Sequence, residues 1–94
     1  MLKITITSTE TEERWILQGR LVEPSVNELK VCWKKARRLA QGRRRIVNLD
    51  DITFIDKSGE RMLRGMANQG ALCVARDVYV KHVLDRLRGK SAKS

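Results

Sequence analysis

The sequence predicts an α/β domain, a four-stranded mixed sheet with three main helices packed mainly on one face, and three patterns carry that expectation. Leu2, Ile4 and Ile6 alternate with Lys3, Thr5 and Thr7, a period of two that marks a strand with one buried face; residues 14–19 form a partner strand after a polar turn. Three later segments place apolar residues at spacings of three and four, as amphipathic helices do. Short apolar runs separate those helices, and helical crossovers between consecutive strands require the strands to be parallel.

Taken in order, residues 8–13 connect the hairpin and Gly19 is expected to end its second strand. Pro24 introduces Ser25-Val26-Asn27-Glu28, a Ser-x-x-Glu capping box that satisfies amide hydrogens left open at a helix start. The first helix then shows the stripe Leu29, Cys32, Trp33, Ala36, Leu39 and Ala40, and Gly42 supplies its stop. Ile46-Val47-Asn48-Leu49 reads as a buried central strand, followed by an acidic turn at Asp50-Asp51. Residues 52–55 lead into Asp56-Lys57-Ser58-Gly59, the start of a second helix whose stripe is Met62, Leu63, Met66 and Ala67. Gly70 closes that helix, residues 71–75 form a fourth strand, and Asp77 caps a third helix with the inner face Val80, Val83, Leu84 and Leu87. Residues 1–88 are expected to be a single domain and residues 89–94 a flexible tail.

Ninety-four residues provide for one hydrophobic core. The absence of a long apolar run predicts a soluble, cytoplasmic chain without a membrane span. Cys32 and Cys73 have apolar neighbours and suit reduced, buried thiols. With His82 as the one histidine and no close pair of ligating residues, neither a metal site nor a cofactor is expected. No phosphate-binding glycine loop, nucleophile elbow or histidine–carboxylate pair occurs, so the chain is not expected to be an enzyme. The net charge of +9 attracts acidic proteins, nucleic acid or anionic lipid. Trp15, Trp33, Phe54 and Tyr79 are few for base stacking, which disfavours a single-strand nucleic-acid binder, and the two tryptophans suit the core.

Four features together resemble the STAS domains of anti-sigma factor antagonists and sulphate transporters. They are the hairpin ending in Gly19-Arg20-Leu21, the helix after Pro24, the apolar strand at residues 46–49 followed by the stretch Asp50 through Gly59, and Gly70 before the next strand. The resemblance runs in order from about Leu2 to Leu87, and the chain is short for that family. It implies a non-catalytic module for signal transduction and transcription regulation that binds an anti-sigma factor or related regulator. In antagonists two hydroxyl residues usually lie between the Asp and the Gly, and the first is phosphorylated; here that position is Lys57, so the usual serine switch has no acceptor in register. Ser58 is the remaining candidate for phosphorylation. An acidic residue often found on the partner-facing surface is replaced by Val22.

The resemblance thus implies a partner-binding surface of Asp56, Lys57, Ser58, Gly59, Arg61 and Arg64, with Arg20 and Val22. Asp56 or Ser58 also suits capping, worth about 1 kcal/mol, whereas Lys57 opposes the helix macrodipole by about 0.3–1 kcal/mol and is expected to point outward. Lys34, Lys35, Arg37, Arg38, Arg43, Arg44 and Arg45 are expected to merge into one basic patch. That patch reads equally as a solubilising face or as a site for an acidic partner. The alternatives are a nucleic-acid or anionic-surface binder using the same patch, and a STAS subunit of a transport assembly; a homodimer is also open.

Overall fold

The computed structural model describes residues 2–37 and 42–92. The element order is β1 (Leu2–Ser8), β2 (Glu12–Leu21), α1 (Ser25–Arg37), β3 (Arg44–Ile55), α2 (Lys57–Asn68), β4 (Leu72–Val74) and α3 (Val78–Ala92). The sheet is ordered β1-β2-β3-β4, with β1 antiparallel to β2 and the other two pairings parallel, so the mixed four-stranded sheet and its three helices are as expected. Leu39 and Ala40, assigned to the first helical stripe, lie outside the described residues. The backbone of α3 stays helical through Gly89 to Ala92; Lys93 and Ser94 lie outside the described residues.

Alternation decides which strand residues meet the helices. Trp15, Leu17 and Leu21 of β2, Val47, Leu49, Ile52 and Ile55 of β3 and Cys73 of β4 join Val26, Leu29 and Trp33 of α1, Leu63 and Met66 of α2, and Val80, Val83 and Leu84 of α3 in one core. The intervening positions, among them Arg14, Ile16, Gln18 and Arg20 of β2, form the opposite face of the sheet.

Three local expectations are corrected. Asp50 and Asp51 do not form a turn: β3 runs unbroken through them, because β2 is long enough to pair with it as far as Leu21↔Ile55. Gly19 likewise does not end β2. It lies at an irregularity in the β2–β3 register with φ of 107°, a conformation that glycine takes at little cost, and the strand continues to Leu21. The capping box at Ser25 and Glu28 is not made among the described residues; the carboxylate of Glu23 accepts the Asn27 N–H at 3.3 Å instead, after a cis Glu23–Pro24 bond. Asp77 does cap α3, accepting the Val80 N–H at 3.2 Å.

The most consequential correction concerns Arg45. Its place on β3 in register with Glu13 puts both on the helix-facing side, in line with Val47 and Trp15. Arg45 is 9% exposed and Glu13 3%, and their side chains meet at 3.2 Å. The same carboxylate oxygen accepts the Trp15 indole N–H at 2.6 Å, while the guanidinium lies 3.4 Å from the Trp33 ring centroid and donates to the Trp33 carbonyl at 3.5 Å. Trp15 and Trp33 pack edge to face at 5.0 Å. A desolvated charge is tolerated only with its counter-charge and its hydrogen bonds in place.

Arg45→Ala is therefore expected to cost about 3–5 kcal/mol in urea unfolding followed by tryptophan fluorescence, since Glu13 is left buried without its counter-ion. The double variant Glu13→Gln with Arg45→Met keeps an acceptor for Trp15 and should recover most of that loss. Equal losses in the single and double variants would refute the electrostatic account.

Candidate functional site

The site lies at the carboxyl end of β3, where the chain passes directly from the sheet into α2. Asp56 is the N-cap: one carboxylate oxygen accepts the Gly59 N–H at 2.7 Å, and the other accepts the backbone N–H of Glu23 at 3.2 Å. Its own N–H donates to the Leu21 carbonyl at 3.2 Å. One residue thus joins the loop before α1 and the first turn of α2 through its side chain, and the end of β2 through its backbone N–H.

Gly59 makes that junction tight. A Cβ at this position would collide with the Leu21 carbonyl and lie 2.8 Å from Ile55 Cγ2 and 3.1 Å from Leu21 Cγ. The first turn of α2 therefore rests directly on the ends of β2 and β3. Ser58, half-buried, donates its hydroxyl to Glu23 Oε2 at 3.0 Å, so Glu23 serves α1 with one oxygen and α2 with the other.

Of the residues expected to face a partner, Lys57, Arg61 and Arg64 come together on one side of α2, lining a depression with Glu60 and Arg86. All three are exposed, and none forms an ion pair among the described residues. Arg86 of α3 instead pairs with Glu60 at 2.9 Å. Asp56 and Gly59 hold the corner from inside. Arg20 is placed elsewhere, on the opposite face of the sheet, with its guanidinium 5.4 Å from the Phe54 ring centroid. Val22 is half-buried, its carbonyl accepting the Val26 N–H at 3.1 Å.

The basic patch is smaller than expected. Lys34, Lys35 and Arg44 are exposed and Arg43 is half-buried, but Arg45 is withdrawn into the core; the Arg37 side chain and all of Arg38 lie outside the described residues. Among the described residues, no group of three or more His, Cys, Asp or Glu side chains is placed to hold a metal ion. No helix among them is long and apolar enough to cross a membrane.

The solved structures matched by this chain bear directly on the arrangement. One is the anti-sigma factor antagonist SpoIIAA in its unphosphorylated form, at 18% identity over 93% of this chain and 99% of that chain, with a TM-score of 0.60. The chain has a SpoIIAA-like fold. A second match, an uncharacterised protein of Shewanella loihica with a SpoIIAA-like fold, is 8% identical over 89% of this chain and 77% of that one, with a TM-score of 0.59. No family model and no curated relative matches the sequence, so shape rather than residue identity carries the likeness. The STAS-like architecture expected from the sequence is thereby shown, while the partner and the docking residues are matters beyond the fold.

Two features of the SpoIIAA-like corner escaped the sequence reading. Glu23 carries no motif of its own in the sequence, yet its carboxylate serves both helix starts. An exposed apolar cluster beside the corner was also missed: Phe54 (43% exposed) stacks on Tyr79 (40%) at 6.4 Å, next to Val78 (81%). The Tyr79 hydroxyl bonds both the N–H and the carbonyl of Ile55 at 3.2 Å, fixing α3 to the end of β3. The available signal was weak, an aromatic at an otherwise outward position in each of two elements.

Gly59→Ala is expected to lower stability by about 1–3 kcal/mol, because the added methyl meets backbone that cannot give way. Asp56→Ala should cost about 1–2 kcal/mol through loss of the cap. Thermal unfolding checks both, and a Gly59→Ala variant as stable as the parent would mean that α2 does not rest on Leu21 as described.

Proposed function

We propose that this chain is a non-catalytic regulatory module that docks onto a protein partner through the start of α2, in the manner of an anti-sigma factor antagonist. The observation that carries the reading is the cluster of Lys57, Arg61 and Arg64, exposed and without ion pairs among the described residues, on a helix start held by Asp56 and Gly59. A rigid corner lets those cations meet a partner with little ordering cost, and their charge selects a carboxylate-rich surface. An anti-sigma factor or related regulator presenting such a surface is the expected partner, encountered in the cytoplasm. Occupancy is the mechanism: binding shifts the partner away from another client by mass action.

The reading includes the absence of the usual phosphorylation switch. Lys57 supplies no hydroxyl, and the Ser58 hydroxyl donates to the Glu23 carboxylate at 3.0 Å. A phosphate there would bring a dianion against that carboxylate, and the repulsion would act on the group that also holds Asn27. The favourable helix N-terminus and Arg61 oppose this effect, but the nearest charge is the wrong one.

Exposed Lys34, Lys35 and Arg44 sustain a second reading, a binder of nucleic acid or another anionic surface, which predicts a steep fall in affinity with added salt. Titration calorimetry against purified anti-sigma factors of the source organism tests the first. Lys57→Glu and Arg64→Glu are each expected to weaken binding by at least about tenfold, with a shallow salt dependence. Parent and variants binding equally well, or duplex DNA binding more tightly than any protein, would overturn the reading.

A further inference from the structure

Between α1 and α2 runs a groove of about 380 Å³ that meets the docking corner at Arg61. Hydrogen bonds tie the two helices at either end: Ser58 to Glu23 at 3.0 Å where both helices begin, and the Trp33 indole N–H to Gln69 Oε1 at 2.9 Å where α2 finishes. The span from Ser58 to Gln69 is about 16 Å of helix, or three turns. Its floor is apolar, with Val26, Trp33 and Met66 buried and Met62 half-buried.

Gly65 occupies the middle of the α2 wall. Nothing lies within 4 Å of the point where its Cβ would be, and its φ is not positive, so neither space nor backbone conformation demands glycine there. A glycine inside a helix is less favourable than alanine. What the missing side chain provides is room for another backbone to come close to α2. On the rim stand Lys30 and Lys34 of α1, one helical turn apart, and Arg61 of α2; all three are exposed, and none is in an ion pair among the described residues. Among the described residues one carboxylate lines the groove, Glu23, and it is already engaged by Asn27 and Ser58.

We infer that this groove receives an acidic amphipathic helix of the partner, about three turns long. Its apolar side lies over Trp33, Met62 and Gly65, and its carboxylates, spaced i,i+4, meet Lys30 and Lys34 while Arg61 faces them from the other wall. Cations distributed along both walls, beside a half-open trough, match the repeating charge of a helix. A single-headed acyl carboxylate would need one cluster of cations. The inference rests on the reading that the partner is a protein and specifies which part of it binds.

The test places a photo-crosslinking residue in the full chain, in cells of its natural host, at Asn27 in the groove, at Lys57 on the docking corner, or at Thr7 on the far face of the sheet. Crosslinked peptides are then sequenced. The expected result is one protein captured from both Asn27 and Lys57, with the Asn27-linked peptide carrying apolar residues at helical spacing flanked by Asp and Glu. Gly65→Leu should lower capture from Asn27 by at least about tenfold with its circular dichroism unchanged, and Gly65→Ala should raise the melting temperature. Capture from Lys57 alone, or of a lipid from Asn27, overturns the groove inference and leaves the docking reading standing. Capture from neither position, or from Thr7 alone, overturns both. A synthetic copy of the captured peptide should shift the Trp33 indole N–H and Gly65 amide resonances saturably; shifts confined to other residues count against the groove.

Discussion

The Asp56 carboxylate is the constraint from which the β3–α2 end of the molecule takes its geometry. With one oxygen on Gly59 and the other on Glu23, it sets where α2 leaves the sheet relative to where α1 begins. Both helices start at this point, so a displacement here would be carried along their whole lengths. The close approach of Gly59 to the Leu21 carbonyl and to the Ile55 side chain removes further slack, because glycine brings no side chain of its own between them. The exposed face of Lys57, Arg61 and Arg64 and the near end of the α1–α2 groove follow from this anchorage, while the Trp33–Gln69 hydrogen bond holds the groove's far end.

A second anchorage holds the other end. Arg45 and Glu13 meet where β2 and β3 begin, and Trp33 brings α1 onto the same point by stacking against the guanidinium. Buried ion pairs seldom add net stability over apolar replacements. This one also carries position: the carboxylate is shared with Trp15, and the guanidinium reaches the Trp33 carbonyl, so α1, β2 and β3 are referred to one another. In a small domain with little apolar surface to spare, a satisfied polar junction that spans three elements limits how they can slide.

The charge of the chain is consequently not a uniform coat. One arginine is spent in the core, Arg86 and Arg76 are matched to Glu60 and Asp50, and Arg20 lies over Phe54. The cations without an ion pair among the described residues include two sets on either side of α2, the corner set and the groove set, with Arg61 common to both. Lys57 stands at the positive end of the helix macrodipole, an unfavourable place for a cation.

The sequence by itself determined the element order, the mixed sheet and the helix-facing stripes, because periods of two and of three to four are local properties of the chain. It also placed the cap at Asp77 and narrowed that of α2 to Asp56 or Ser58, of which Asp56 makes it, since caps act within a single turn. Tertiary structure decided the rest. Asp50 and Asp51 stayed in β3 because a long neighbouring strand offered partners there, and the helix start at Ser25 took its cap from Glu23 because Ser58, thirty-odd positions away, holds that carboxylate in place. Arg45 reads as surface in a run of three arginines and becomes core only once the β2–β3 register sets it beside Glu13. The groove belongs to two helices separated by a strand, and Gly65 is an ordinary helix residue until α1 is laid alongside. Local spacing reports which face a residue takes; only the pairing of distant segments reports what waits on that face.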